Sequence, residues 1–286
     1  LERRVGDVIL SPITLNRLTI EKAMVISSIL AILCYSLSIG LIIPCLAKEQ
    51  PTYKKIALAF ASLALIFHIV ALQQRIFSVA DGQNLSLLTI ASCVSFIISF
   101  VMTIVAYSNR ALILLPLVYS FSIINIALAG VMPWQVITHL EDTPTLLIHV
   151  ILALFSYAML IIALLYALQL AWINYQLKHK QLMPTDMPPL MVIERKLFHI
   201  TQIGVFLLTL TLLTGLFYID DLFSRHNAHK TVLSIIAWIV YVVLLWGHYQ
   251  KGWRGTRVVW LSLAGSFLLT LGYFGSRFIQ YMIYHA

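Results

Sequence analysis

Long apolar runs, separated by short polar connections, fill almost the whole chain. Eight of them cover 24–46, 54–77, 85–107, 111–131, 145–173, 195–219, 230–249 and 256–280. Each is near or above the ~20 apolar residues that a transmembrane helix needs. No connection is long enough for a folded extramembrane domain, so the pattern predicts an all-α, polytopic transmembrane helix bundle of about eight spans. Pro51, Asp81-Gly82 and Gly252-Trp253-Arg254-Gly255 mark turns. The third connection is only Tyr107 to Arg110, which makes spans three and four a helical hairpin. In the fourth, Trp134, Ile137 and Leu140 recur at helical spacing and predict a short helix in the outer interface. Pro184, Pro188 and Pro189 are expected to stop the long fifth helix.

Composition agrees: 60% of residues are hydrophobic and 10% charged, with a mean hydropathy of +0.92. No soluble core needs that much apolar surface. The net charge of +8 would suit nucleic acid, but its distribution argues otherwise. Odd-numbered connections carry Lys48, Lys54, Lys55, Arg110, Lys178, Lys180, Arg195, Lys196, Lys251, Arg254 and Arg257. Even-numbered ones and the C-terminus carry only Arg75, Arg225, Lys230 and Arg277. The positive-inside rule then places the odd connections in the cytoplasm and both termini on the periplasmic side. Arg3, Arg4, Arg17 and Lys22 fit that orientation badly, and Met24 stands directly before the first apolar run. Residues 1–23 are therefore read as a disordered tail or a mis-extended start, and 24–286 as a single transmembrane domain.

Cys34, Cys45 and Cys93 form no C-x-x-C and no C-x-x-C-H. This excludes a thiol relay, a zinc-ribbon site and covalent haem attachment; they read as small buried apolar residues. Histidine is the informative type. Of nine, His68, His149, His199 and His248 fall in or at the ends of spans, whereas every Asp and Glu lies in the tail, a connection or a span end. An ionisable side chain at membrane depth is a functional hypothesis by default. Two neutral imidazoles facing each other from different helices are what a six-coordinate haem iron takes.

Topology assigns depths. His68, His149 and His229 share an outer layer, while His199 and His248 lie near the cytoplasmic face. His149 and His248 are separated by a span, about 30 Å at ~1.5 Å per residue, and cannot ligate one iron. His68 is then the expected partner of His149. Arg75 follows His68 at i+7, toward the outer rim, where haem propionates would want a cation. His149, Ala153 and Ser156 form a small stripe that allows close helix approach. Each feature also has a plainer reading. A lone intramembrane His can simply bond helices together, Arg75 can snorkel, and Asn125 can serve as an interhelical hydrogen-bond partner. His139 and His226 read as solvated loop residues. There is no phosphate loop, no H-E-x-x-H and no Ser/His/Asp set, so the chain is not expected to be an enzyme. Missing buried carboxylates and repeated broken helices also argue against a secondary transporter.

The stretch His149-Val-Ile-Leu-Ala-Leu-Phe-Ser-Tyr-Ala resembles the histidine-led span of the cytochrome c assembly (CcsA-type) membrane proteins. The resemblance continues in order through Gly204, Leu207-Leu208-Thr209, Gly215, Lys230, Trp238, Gly252-Trp253-Arg254-Gly255 and Tyr273-Phe274-Gly275. His68, Leu72 and Arg75, followed by Asn84-Leu85-Ser86, resemble the family's His-x-x-x-Leu-x-x-Arg span. Coverage runs from Met24 to the end and most resembles the short HemX/YpjD-like bacterial inner-membrane branch. The resemblance implies a multi-pass protein of the bacterial inner membrane that binds or handles haem for c-type cytochrome maturation. His149 matches an external haem ligand and His248 a membrane ligand; His285 is the remaining candidate for the second external one. Implied partners are the lipid bilayer, haem and other inner-membrane proteins, with no nucleic acid. One departure stands out: the family's tryptophan-rich segment is replaced, between Gly215 and Lys230, by a stretch without tryptophan. The alternative is a non-catalytic partner or regulatory subunit of another inner-membrane protein that has lost haem handling.

Overall fold

The apolar runs become helices because the bilayer leaves backbone N–H and C=O groups no partner but one another. The computed structural model describes residues 12–48, 51–77, 82–108, 112–132, 136–139, 143–179, 189–218 and 228–275. Among these, eight helices are long and apolar enough to span a membrane: α1 Pro12–Lys48, α2 Pro51–Ile76, α3 Leu87–Ser108, α4 Leu115–Val131, α5 Pro144–Lys178, α6 Leu190–Tyr218, α7 Ala228–Lys251 and α8 Thr256–Thr270. A π-helical turn over Leu271–Gly275 continues α8. The helix α1 begins well before Met24, although its membrane-compatible part is Lys22–Leu46.

Two groups of four helices result. α1 packs along α2 and against α4, while α3 packs on α2 and α4; α5 packs along α6 and against α8, and α7 lies on α6 and α8. α3 meets α5 and joins the groups. Small residues make the close approaches possible, since between helices in lipid, packing replaces the hydrophobic drive. Ala57, Ala61 and Ala64 are buried on one face of α2. Ser92, Ser95, Ser99 and Thr103 form a buried polar seam on α3, with Ser99 2.7 Å from Ser122 and Thr103 2.8 Å from Tyr119, both on α4. In the second group Ser156 donates to the Gly204 carbonyl at 3.1 Å, as the small stripe after His149 predicts. A Cβ on Gly265 would sit 2.6 Å from the buried Tyr241 ring, so α7 and α8 can approach this closely only over glycine. Exposed Leu33, Leu37, Phe206 and Leu216 are the lipid-facing surface that a soluble protein would have to hide.

Three expectations are corrected. The fourth connection does not carry a helix at Ile137. Instead β2, Ile137–Thr138, pairs antiparallel with β1, Gln83–Asn84, and Asn84 Oδ1 accepts the Val136 N–H at 3.1 Å. The β-branched run Val136-Ile137-Thr138 suits an extended backbone, and the bonds clip two connections on the same face together; Trp134 and Leu140 lie outside the described residues. The helix α6 starts at Leu190, earlier than the apolar pattern, because Glu194, Arg195 and Lys196 are charged yet helical. Asn125 donates to Phe121 of its own helix at 2.8 Å rather than across to a neighbour.

Candidate functional site

His149 projects from the second turn of α5 toward α6. Its Nδ1 is 3.1 Å from the Thr214 hydroxyl. That hydroxyl donates its own hydrogen to the Thr211 carbonyl at 2.9 Å, leaving only a lone pair for the imidazole. Nδ1 must therefore carry the N–H, and the lone pair falls on Nε2. The Thr211 backbone is a second acceptor at the imidazole. A histidine with one nitrogen fixed by an acceptor and the other presenting a lone pair is arranged as metal-bound imidazoles usually are.

His248, in the last turn of α7, is held in the same tautomer by different means. Its Nδ1 lies 3.1 Å from the Trp253 carbonyl, which can only accept. The ring stacks on Phe198 of α6, with centroids 3.3 Å apart and planes 13° from parallel, so its orientation is fixed as well. A pocket of about 280 Å³ opens beside it, bounded by His199, Arg195, Gln202, Glu194 and Arg254. Glu194 pairs with Arg254 at 3.2 Å. His199 is exposed, ten residues into α6, and shares this pocket with His248.

His68 differs from both. It is fully buried, at 0% exposure. Its Nδ1 is 3.3 Å from the Tyr35 hydroxyl on α1 and its Nε2 3.0 Å from Ser92 on α3. Whichever nitrogen holds the proton, one bond is donated and one accepted, so no lone pair is left over. Tyr35 and Phe96 meet the imidazole edge-on. Arg75 donates to the Ala129 carbonyl near the end of α4, where a cation also complements the helix dipole.

The predicted residues are thus not brought to one centre. His68 is enclosed by α1 and α3, whereas the partner of His149 lies on α6 and those of His248 on α6 and the α7–α8 turn. Among the described residues, no three His, Cys, Asp or Glu side chains cluster to hold a metal ion. Arg277, His226 and His285 lie outside the described residues. Sequence reasoning missed Thr214, Phe198 and the Trp253 carbonyl. Only the last was within reach, five residues beyond His248 in a glycine-flanked turn.

The chain matches the model of the family described as "Cytochrome C assembly protein" over residues 56–283. It is 59% identical over 262 residues to the "Inner membrane protein YpjD" of Escherichia coli (strain K12), which covers 91% of this chain and all of that protein. It is 27% identical over 75 residues to the "Cytochrome c biogenesis protein CcsA" of Synechococcus sp. (strain RCC307), covering 26% of this chain and 24% of that one. No solved structure matches. With eight helices among the described residues long and apolar enough to span a membrane, and with these relatives, the chain is a multi-pass inner-membrane protein that belongs to the cytochrome c assembly family.

Proposed function

We propose that this protein binds or handles haem for the maturation of c-type cytochromes, as a carrier and not as an enzyme. The carrying observation is that His149 and His248 are both held with Nδ1 donating and Nε2 presenting a lone pair. Haem would supply an iron whose axial position takes one such nitrogen. The two residues would serve separate sites at opposite ends of the bundle, each needing a further ligand. At the His248 end, His199 lines the same pocket, and Arg195 is the cation there for a propionate, Arg254 being paired with Glu194. That pocket, about 280 Å³, is slightly below the ~300–1,000 Å³ that encloses a small-molecule ligand, so a haem there would be partly exposed. His68 could ligate only by giving up Tyr35 or Ser92, and Arg75 is already engaged at α4.

The test is the absorption spectrum of protein purified in detergent with haem supplied. A Soret band that shifts on reduction is expected, weakened by His149→Ala and by His248→Ala but not by His139→Ala. Unchanged Soret intensity in both His149→Ala and His248→Ala removes the proposed ligands. The stretch without tryptophan between Gly215 and Lys230 favours a second reading, a membrane partner of another inner-membrane protein that no longer carries haem; a colourless preparation selects it.

The orientation, with both termini on the periplasmic side, rests on the asymmetry of Lys and Arg between connections. In a background without Cys34, Cys45 and Cys93, Asp186→Cys should react with a membrane-impermeant thiol reagent only after the cytoplasmic face is opened. Labelling of intact spheroplasts reverses the orientation.

A further inference from the structure

The α7–α8 turn has features that haem binding leaves unused. Trp253 packs on the bare backbone of Gly247, where a Cβ would fall 2.1 Å from the indole. The Trp253 backbone N–H also donates to the Gly247 carbonyl at 3.1 Å. So anchored, Trp253 walls a trough of about 390 Å³ with Val243, Trp260 and Leu261, and Thr256 and Arg257 are its polar members. Val243 is 39% and Trp260 65% exposed, so the trough faces outward, where a spanning bundle meets lipid. The Arg257 guanidinium lies 6.0 Å from the Trp253 ring centroid, within cation–π range.

Charge at this corner has one sign. From Trp246 to Trp260 the chain carries Lys251, Arg254 and Arg257 and no acid. Glu194 compensates Arg254; Lys251 lies over Trp246 at 5.7 Å. The trough sits where α7 ends and α8 begins, hence at headgroup depth, where tryptophan and basic residues anchor spans. A small soluble anion has no use for an apolar trough, and a neutral apolar molecule has none for Arg257. An amphiphile with an anionic head uses both. We propose that the trough between α7 and α8 binds an anionic phospholipid, with an acyl chain against Val243, Trp260 and Leu261 and the phosphate on Arg257. Juxtamembrane cations of this kind each favour an anionic lipid by about fivefold. The inference is independent of the haem reading, since no wall of the trough is a proposed haem ligand.

The test uses the full chain in nanodiscs of equimolar phosphatidylglycerol and phosphatidylcholine, with retained lipid counted by native mass spectrometry. Wild type should retain phosphatidylglycerol about fivefold over phosphatidylcholine. Arg257→Gln, at an exposed position that leaves packing intact, should bring the ratio close to one. Trp260→Ala should lower retention of both lipids, and Lys178→Gln, at the end of α5 and not part of the trough lining, should leave the ratio unchanged. Equal retention by wild type, a preference that survives Arg257→Gln, full retention in Trp260→Ala, or an equal loss in Lys178→Gln each overturns the proposal.

Discussion

His68→Ala is expected to destabilise the folded protein by about 2–4 kcal/mol, read as a lowered unfolding midpoint in detergent. The imidazole is fully buried between α1, α2 and α3. Hydrogen bonds between membrane helices are worth only about 0.6 kcal/mol on average, so the two lost bonds do not carry the effect by themselves. Most of it comes from the void left beside Tyr35 and Phe96, and from the Ser92 hydroxyl stranded away from water. Tyr35→Phe, which removes the bonds to His68 and Ser99 but no ring, should cost about 1 kcal/mol. Haem per folded molecule should stay at the wild-type level in His68→Ala, because both nitrogens are already committed to helix contacts. A variant that folds with wild-type stability yet loses its haem would make His68 a ligand and reverse this assignment.

Thr214→Val is expected to weaken haem binding at the His149 site by about 10–100-fold, the usual effect of removing the partner that orients a ligating histidine. Valine keeps the shape of threonine but cannot accept the Nδ1–H. The imidazole then keeps only the Thr211 backbone as an acceptor, and its tautomer and orientation are held less firmly. Thr214→Ser restores the acceptor and should restore most of the affinity, which a simple packing defect would not do. Haem titration in detergent, with His248→Ala as background to isolate the His149 site, gives the shift directly. Equal affinity in Thr214→Val and wild type means that the hydroxyl does not set the tautomer.

Much of this architecture was legible because the bilayer imposes a local rule. A contiguous run of apolar residues must be a helix in lipid whatever it later packs against, and each of the eight runs lies on a helix among the described residues, although α1 starts twelve residues before its run. The misplaced start of α6 shows the rule's edge: hydropathy marks where the membrane begins, while the backbone bonds of a helix continue through Glu194, Arg195 and Lys196. The pairing of β1 with β2 was invisible for another reason. Asn84 and Val136 are 52 positions apart, and nothing in either connection names the other.

The histidines show the division most clearly. The sequence by itself determined that imidazoles, and not carboxylates, stand within the spans, because charge and hydropathy are properties of consecutive residues. It could not separate His68 from His149, since a bonding histidine and a ligating one have the same residue type at similar depth. Only the tertiary structure decided that Tyr35 and Ser92 take both nitrogens of His68, while Thr214, 65 positions from His149, takes one and leaves the other. Which nitrogen keeps a lone pair depends on which acceptors the neighbouring helices bring within about 3 Å, and that is set by packing between segments far apart in the chain.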